Sequence, residues 1–179
     1  SPSADGPRAM PDLSLDLHPE TPADHAAIER LHERAFGPGR FSRTAFRLRE
    51  GVEAYAALCF TARVGTLLVG SIRLSPIDIG PGTPAVLLGP ITIDPAFQGK
   101  GIGGALMRRS MDAARDQGHR LIMLVGDAPY YERFGFRVVP PGRLTLPGPV
   151  DPGRLLVAEL VEGAFDGVSG PVRGAPDAA

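Results

Sequence analysis

The sequence has one cysteine, one lysine and no long apolar run, and each shortage excludes a class of protein. Because Cys59 is the single cysteine in 179 residues, an intrachain disulfide framework and a cysteine-based zinc site are both excluded. The 19 basic residues, of which only Lys100 is a lysine, are balanced by 20 acidic ones, so no nucleic-acid-binding surface is predicted. No apolar run approaches the roughly 20 residues that cross a bilayer, and no signal-peptide pattern is present. We therefore expect a cytoplasmic protein with no metal, nucleic-acid or membrane partner.

Length and composition predict one globular domain with less ordered ends. A chain of 179 residues with 43% hydrophobic residues can bury a core without a metal or a disulfide. Residues 1–12 are rich in Ser, Pro, Gly and Asp, which predicts disorder. Strand and helix patterns alternate over residues 13–162. Residues 163–179 are rich in Gly, Pro and Ala, so we expect a partly disordered C-terminal extension.

Apolar periodicity predicts the order β-α-α-β-β-β-α-β-α-β-β, which is a mixed α/β sheet in one domain. The sequence from Thr21 to Asp24 marks the start of the first helix, with a capping residue, a proline and an acid in order. A Pro/Gly-rich loop is expected from Pro76 to Pro84. Later elements are predicted as strands over 85–93 and 121–125, a long helix from Ile102, a short helix over 129–134, and strands over 136–139 and 155–161.

A glycine-rich turn joins the strand over 85–93 to the long helix. It reads Gln98-Gly99-Lys100-Gly101-Ile102-Gly103-Gly104. Glycines allow a tight turn and let an anion approach the main chain, and the first N–H groups of a helix have no internal partner. The helix dipole adds partial positive charge at the same place. The turn therefore predicts a phosphate-binding site, although such glycines also serve compact packing alone.

Two other phosphate-binding motifs explain this turn poorly. Gly99, Gly101 and Gly104 satisfy G-x-G-x-x-G, but the acidic residue expected about 20 positions later is absent. Too little chain follows to complete a doubly wound sheet. The P-loop motif is excluded because Lys100 is followed by glycine, not by Ser or Thr. NAD(P) binding is therefore a disfavoured alternative.

The turn and a second motif resemble the GCN5-related N-acetyltransferase (GNAT) superfamily. Gln98, Gly101 and Gly103 match its acetyl-CoA motif, Gln/Arg-x-x-Gly-x-Gly/Ala, position for position. Residues Tyr131 to Phe136 match its Tyr-x-x-x-Gly-Phe signature. Two further stretches, 89–95 and 124–131, resemble the branch of uncharacterised bacterial predicted acetyltransferases.

The resemblance covers about residues 13–172 and implies a fold and a reaction. The implied fold is a single-domain, GNAT-like α/β fold, with a mixed, mostly antiparallel sheet, central splayed strands and flanking helices. The implied reaction is direct attack of a primary amine on acetyl-CoA, which is the cosubstrate. The acceptor would be a small-molecule or peptide amine, contacted by residues 36–41 and by the last strands, and a homodimer is an admissible assembly.

The resemblance also implies the residues that bind acetyl-CoA. Pantetheine would bond like a strand to the backbone of residues 91–93, and the pyrophosphate would lie on the turn. Pro90, just before this stretch, is compatible with the edge of a splay or with an ordinary bulge. The implied binding residues are Ile91, Thr92, Ile93, Gln98, Gly99, Lys100, Gly101, Ile102, Gly103 and Gly104.

Tyr131 occupies the family's acid position, so the resemblance implies that its hydroxyl protonates the departing CoA thiolate. Tyr130 points about 100° away on the same helix and is more simply a packing residue. The four histidines and Cys59 are predicted to be surface or packing residues.

The sequence departs from the family pattern at two places. Many members carry an Asn before the tyrosine, whereas this chain has Asp127, which could cap the short helix. Several members carry a Glu on the strand before the turn, whereas residues 88–90 are Leu-Gly-Pro. The base therefore stays open between water, a backbone carbonyl and a residue such as Glu33. The missing carboxylate also leaves a non-catalytic acyl-CoA-binding or regulatory module as the alternative function.

Overall fold

The computed structural model describes residues 14–36 and 43–178, without the side chains of Phe36 and Arg43. The disorder predicted for residues 1–12 lies outside the described residues. The helices are α1 (His25–Phe36), α2 (Arg43–Arg49), α3 (Ile102–Asp116) and α4 (Ala128–Tyr131). The strands are β1 (Leu15–Pro19), β2 (Phe60–Val64), β3 (Leu67–Ile79), β4 (Thr83–Ile93), β5 (Leu121–Val125), β6 (Arg137–Val138), β7 (Leu144–Thr145), β8 (Leu155–Glu159) and β9 (Gly170–Gly174).

The strands form one mixed sheet in the order β1-β2-β3-β4-β5-β8-β6. Strand β9 pairs with the end of β3, on the edge that β2 occupies earlier along that strand. The described pairs are antiparallel except β4 with β5 and β7 with β9. Helices flank the sheet, so the predicted α/β fold with a mostly antiparallel sheet is confirmed. Among the described residues, no helix is both long and apolar enough to cross a membrane.

The start of α1 follows the predicted capping pattern. The carboxylate of Asp24 accepts hydrogen bonds from the Thr21 backbone N–H at 2.8 Å and from its hydroxyl at 3.2 Å. These bonds satisfy groups that the helix cannot satisfy internally. Arg63 of β2 donates to the same carboxylate at 2.7 Å, which ties the helix start to the sheet. Ile28 and Leu31, one helical turn apart, are fully buried against the sheet.

The side chains of β4 alternate between two apolar layers. Val86 and Leu88 pack with α3 and with residues of β2, β3 and β5. Ala85 and Leu87 point to the opposite face, where α2 and the C-terminal segment cover the sheet. Each fully buried leucine stabilises the fold by about 1.5–3 kcal/mol through removal of apolar surface from water. Burial on both faces makes β4 and β5 the centre of the molecule and fixes the ends of the strands that carry the site.

The C-terminal segment differs from the predicted partly disordered extension, because residues 163–178 are packed on the domain. Phe165, Val168 and Val172 are buried against the face of the sheet opposite α3. The Arg143 guanidinium stacks over the Phe165 ring at 3.8 Å and donates to the Val168 carbonyl at 2.8 Å. Three large apolar side chains are enough to anchor the segment, although its Gly, Pro and Ala content suggests otherwise.

The prediction of a loop from Pro76 to Pro84 is wrong, because most of this segment belongs to a β-hairpin. Strand β3 continues to Ile79 and β4 begins at Thr83, so only residues 80–82 form the turn. Pro76 has no N–H for the ladder, but its carbonyl accepts from the Ala175 N–H at 3.1 Å. The segment that follows β9 therefore supports β3 at Pro76, a residue that disfavours a strand.

Candidate active site

The central strands β4 and β5 separate where the candidate site begins. They pair in parallel only through Val86 with Ile122 and Leu87 with Met123. Residues 88–93 of β4 continue past the last of these pairs without a partner in β5. The backbone of β4 beyond that point therefore has one edge available to a ligand. This arrangement is the splay that the family resemblance implies.

A bulge lies at the start of the splay. Leu88 and Ile91 of β4 face residues of β3 that are only two positions apart, so Gly89 and Pro90 both lie opposite Arg73. Gly89 has φ +138°, which disfavours any other residue. Pro90 therefore lies both in a bulge and at the edge of the splay, and the two interpretations of this proline are true together.

The glycine turn has the geometry that its sequence predicts. Gly99 has φ +78° and Gly101 has φ +80°, and helix α3 starts at the next residue. A Cβ atom added at either glycine would meet nothing within 4 Å, so the backbone conformation requires glycine there. The first intrahelical bond of α3 runs from the Ala105 N–H to the Gly101 carbonyl. The N–H groups of residues 102–104 thus face the turn without intrahelical acceptors.

A cleft of about 570 Å³ lies between β4, the turn and α4, and we call it the glycine-turn cleft. All the predicted acetyl-CoA residues line it except Lys100, which is exposed on the turn outside its wall. Sequence reasoning missed two cations in this wall, Arg108 and Arg133. Arg108 stacks over Phe134 at 5.5 Å, and Arg133 stacks over Tyr130 at 4.8 Å. The spacing of Arg108, one helical turn after Gly104, could have revealed it.

Tyr130 and Tyr131 lie at the inner end of the glycine-turn cleft. Their rings meet edge to face with centroids 4.9 Å apart. Burial raises the pKa of the Tyr131 hydroxyl to about 12, so this group is protonated at neutral pH. The Tyr130 hydroxyl points to the start of α3, 3.0 Å from where a Cβ of Gly103 would lie. The ring of Tyr131 lies instead beside Gly126, the residue that follows β5.

Two further cavities lie beyond the cleft, and one of them adjoins it. The splay cavity, about 490 Å³, lies between β4 and β5 and shares Ile91, Tyr130 and Tyr131 with the cleft. The α1–α2 cavity, about 640 Å³, is lined by those helices and by β3, and it shares Arg49 and the Gly89–Pro90 bulge with the splay cavity. The shared residues place the three spaces in series, from the glycine turn through the splay to the face that carries α1.

The sequence suggests roles near the site for Asp127, for Glu33 and for residues 36–41. Asp127 occupies the N-cap position of α4, but its side chain makes no capping bond, because its carbonyl accepts from the Tyr130 and Tyr131 N–H groups at 3.1 Å. Glu33 is exposed on α1 and lies outside the walls of the three cavities. The acceptor contacts expected from residues 36–41 fall outside the described side chains. In the described residues, no cluster of three His, Cys, Asp or Glu side chains could hold a metal ion.

Asp94 anchors the turn to the body of the protein. Its carboxylate accepts from the Ala96 N–H at 2.9 Å, which caps the short 3-10 helix before the turn. The same carboxylate pairs with Arg34 of α1, at 3.2 Å to Nε and 3.1 Å to Nη2. The Asp94 N–H donates to the Val69 carbonyl of β3 at 2.8 Å. The buried carboxylate of Asp94 thus ties the turn to α1, and the backbone N–H of the same residue ties it to β3.

We expect Asp94→Ala to lower the free energy of unfolding by about 2 kcal/mol or more and to weaken acetyl-CoA binding. The reason is that the turn loses both its cap and its ion pair. Asp151→Ala is the matched control, because Asp151 caps another 3-10 helix by the same bond, to the Gly153 N–H at 2.9 Å, outside the three cavities. Urea unfolding and calorimetric titration measure the two effects. Equal losses of affinity in both variants would contradict the anchoring role.

A family model described as "Acetyltransferase (GNAT) family" matches residues 25–136. The chain is 27% identical to the uncharacterised N-acetyltransferase YhbS of Escherichia coli K12 over 154 residues, which is 86% of this chain and 92% of that protein. It is 30% identical to the uncharacterised N-acetyltransferase YjhQ of the same organism over 123 residues, which is 67% of this chain and 68% of that protein.

Two solved structures with CoA or acetyl-CoA bound have the same fold. The crystal structure of E. coli YhbS in complex with CoA superposes with a TM-score of 0.77 at 25% identity, covering 90% of this chain and 89% of that one. A GNAT family acetyltransferase from Brucella melitensis, in complex with acetyl-CoA, gives a TM-score of 0.59 at 31% identity, covering 86% and 99%. The residues that the family model matches, 25–136, include β4, the glycine turn, α3 and the two tyrosines. This chain therefore belongs to the GNAT acetyltransferase family.

Proposed function

We propose that this protein transfers the acetyl group of acetyl-CoA to a primary amine by direct attack. The observation that carries the proposal is the series of three cavities, with Tyr131, whose hydroxyl is protonated, in the walls of both the glycine-turn cleft and the splay cavity. Such a path lets a thioester enter from the glycine turn and an amine from the α1–α2 cavity. The two relatives solved with CoA or acetyl-CoA support this assignment of the donor.

The residues of the cleft suit the parts of acetyl-CoA. The free N–H groups at the start of α3, with the positive end of its dipole, suit the pyrophosphate. Arg108 and Arg133 add two cations to the same wall. The Thr92 Oγ1 atom, on a residue that is 2% exposed, has no hydrogen-bond partner in the described residues and lies on a residue of that wall. A buried hydroxyl without a partner is costly, and a polar group of the pantetheine arm would satisfy it.

The proposed reaction forms one bond and breaks one. The amine nitrogen attacks the thioester carbonyl carbon, an oxyanion forms, and its collapse breaks the carbon–sulfur bond. The nitrogen loses one proton and the sulfur gains one, so the products are an amide and CoA with a free thiol. We propose that Tyr131 donates the proton to sulfur, since its raised pKa keeps it protonated until the thiolate departs.

We expect acetyl-CoA to stabilise the fold against heat. At 100 times its Kd, a ligand that binds only the native state adds about 2.7 kcal/mol. In a domain of this size, that amount corresponds to a Tm rise of roughly 5–10 °C. The measurement is a thermal shift with acetyl-CoA, with NAD as the control ligand that should give no rise. An unchanged Tm at millimolar acetyl-CoA would contradict both donor binding and the reaction.

A thiol-release assay separates the enzyme from the non-catalytic alternative, which the missing carboxylate on β4 favours. Release of CoA thiol that depends on an added amine supports the enzyme. Stabilisation by acetyl-CoA with no amine-dependent thiol release across a broad amine panel would support an acyl-CoA-binding module. A cytoplasmic location and a homodimer stay predictions.

A further inference from the structure

The α1–α2 cavity, through which the proposed function has the amine enter, is lined by several charged side chains. What we infer from these charges about the acceptor rests on that proposed function. Two arginines and three glutamates line it, together with two histidines. The charges of Glu20, Glu29, Arg49 and Arg73 all act on the buried His32, so they lie close together. Glu29 is exposed, whereas the two arginines are partly buried.

One of the two arginines is neutralised within the protein. Arg73 Nε donates to Glu20 Oε1 at 2.8 Å, and both side chains are mostly buried. The second oxygen of Glu20 lies 3.8 Å from His25 Nε2. The carboxylate of Glu20 is therefore paired within the protein. The other two carboxylates of the cavity, those of Glu29 and Glu53, are exposed.

Arg49 is not neutralised in this way. Its side chain makes no ion pair and no hydrogen bond in the part of the chain that the structure describes. Burial and the charge of Arg73 both lower the pKa of the guanidinium, which shows that its surroundings disfavour the cation. A partly buried guanidinium without an anion carries a desolvation cost that an oxyanion ligand would offset.

The position of Arg49 connects it to the reaction centre. It is the last residue of α2, and its Nη1 atom lies 3.4 Å from where a Cβ of Gly89 would be, beside the bulge at the splay. It lines both the α1–α2 cavity and the splay cavity. A group bound to Arg49 would therefore lie within a few bonds of an amine that points into the splay.

A second unsatisfied donor lies in the same cavity. Ser75 is 3% exposed and lines the α1–α2 cavity, and its Oγ atom has no hydrogen-bond partner in the described residues. Ser75 follows Arg73 by two positions on β3, so the two side chains lie on one face of the sheet. A guanidinium and a hydroxyl that both lack acceptors suit the oxygens of a carboxylate or a phosphate.

We propose that the acceptor is a small amine that carries an oxyanion a few bonds from its nitrogen, and that Arg49 binds this oxyanion. The two sources of such a group are an amino acid, through its carboxylate, and a phosphorylated amine. The exposed Glu29 and Glu53 at the same cavity would attract the ammonium end of either molecule. Polyamines and other amines without an anionic group lack the oxyanion that Arg49 would bind, so they are not expected as preferred acceptors.

The test is amine-dependent thiol release by the full chain with acetyl-CoA. The panel contains the amino acids, their carboxamides, phosphoethanolamine, ethanolamine and spermidine. We expect an amino acid or phosphoethanolamine to exceed its counterpart without the anionic group in kcat/KM by a factor of about 30 or more, the loss expected when a buried charge loses its partner. The comparison between amino acids and phosphoethanolamine distinguishes the two sources.

Two variants test the role of Arg49. Arg49→Gln should raise the KM for the oxyanion amine by a factor of about 30 or more, and Arg49→Lys should restore part of the loss. Arg47→Gln is the control, because Arg47 is exposed on the same helix and donates to the Pro147 carbonyl at 2.9 Å, outside the cavities. The thermal shift with acetyl-CoA should be unchanged in all three variants. This measurement reports folding and donor binding independently of acceptor binding, which the KM reports.

The outcomes distinguish this proposal from the proposed function. Preferred turnover of spermidine, ethanolamine or the carboxamides would overturn the oxyanion proposal and leave the acetyltransferase standing. An unchanged KM in Arg49→Gln would overturn the role of Arg49 in the same way. Donor binding without turnover of any member of the panel would overturn both, and so would the absence of donor binding.

Discussion

Replacing Tyr131 by phenylalanine should lower kcat by a factor of about 10²–10⁴, the usual contribution of a general acid. The Tyr131 hydroxyl would act on the sulfur only as the carbon–sulfur bond breaks, so its loss should leave the Kd of acetyl-CoA nearly unchanged. The ring is held by edge contacts to Tyr130 at 4.9 Å and Phe136 at 6.0 Å, and phenylalanine keeps both. Steady-state thiol release and calorimetric titration measure the two quantities.

The pH dependence of the rate gives a second readout. Tyr131 is active as the acid only while it is protonated, so its contribution is lost as the pH rises through its pKa. Burial raises this pKa to about 12, above the ordinary value of 10.0. The wild-type rate should therefore show no descending limb with a midpoint near pH 10 from this group. A limb near pH 10 that disappears in Tyr131→Phe would show that the hydroxyl is more solvated than the structure places it.

Tyr130→Phe is the matched control, since it deletes the same atom one residue earlier. Tyr130 is held by its backbone and ring, because Arg133 donates to its carbonyl at 3.0 Å and stacks over its ring at 4.8 Å. Its hydroxyl points to Gly103 at the start of α3, so its loss should affect donor affinity more than kcat. Equal, small changes of kcat in both variants would assign Tyr131 to packing and contradict its role as the general acid.

The features that could be predicted from the sequence are those that neighbouring residues determine. The left-handed conformations of Gly99 and Gly101, and the helix that follows them, depend on a local pattern. The capping of α1 by Thr21 and Asp24 is equally local. The motif residues therefore lie where they were predicted, apart from the exposed Lys100, because a short loop between a strand and a helix allows few alternatives.

The features that could not be predicted depend on contacts between distant parts of the chain. Strand β9 exists because Val172 and its neighbours pair with the end of β3 and cover an apolar face, which no local pattern shows. In the sequence, Arg49 is one of three arginines on a short helix, and only the fold places it beside Gly89. The same holds for the α1–α2 cavity, whose walls come from separate segments between Glu20 and Pro90.

Replacing Gly103 by valine should weaken acetyl-CoA binding by a factor of about 100 or more, the cost of forcing extra atoms into a filled site. Gly103 lies in the first turn of α3 with ordinary helical backbone, so valine is not excluded by its conformation. Its Cβ would lie 3.0 Å from the Tyr130 hydroxyl and 3.8 Å from Ile93 Cγ1, inside the cleft wall. The added methyl groups would occupy space that the proposed pyrophosphate needs.

Two further variants separate steric exclusion of the ligand from other causes. Asp112→Val introduces the same β-branched residue at an exposed site on α3 outside the cleft, so it reports the effect of a valine in this helix away from the ligand. It also removes the exposed Asp112–Arg115 ion pair, which contributes little to stability. Gly103→Ala, alone and combined with Tyr130→Phe, tests the contact with the tyrosine, because the double variant removes the nearest atom. If the ligand itself needs the space, Tyr130→Phe restores little of the affinity lost in Gly103→Ala. Full restoration would place the clash at Tyr130, and normal binding by folded Gly103→Val would move the phosphate site away from this turn.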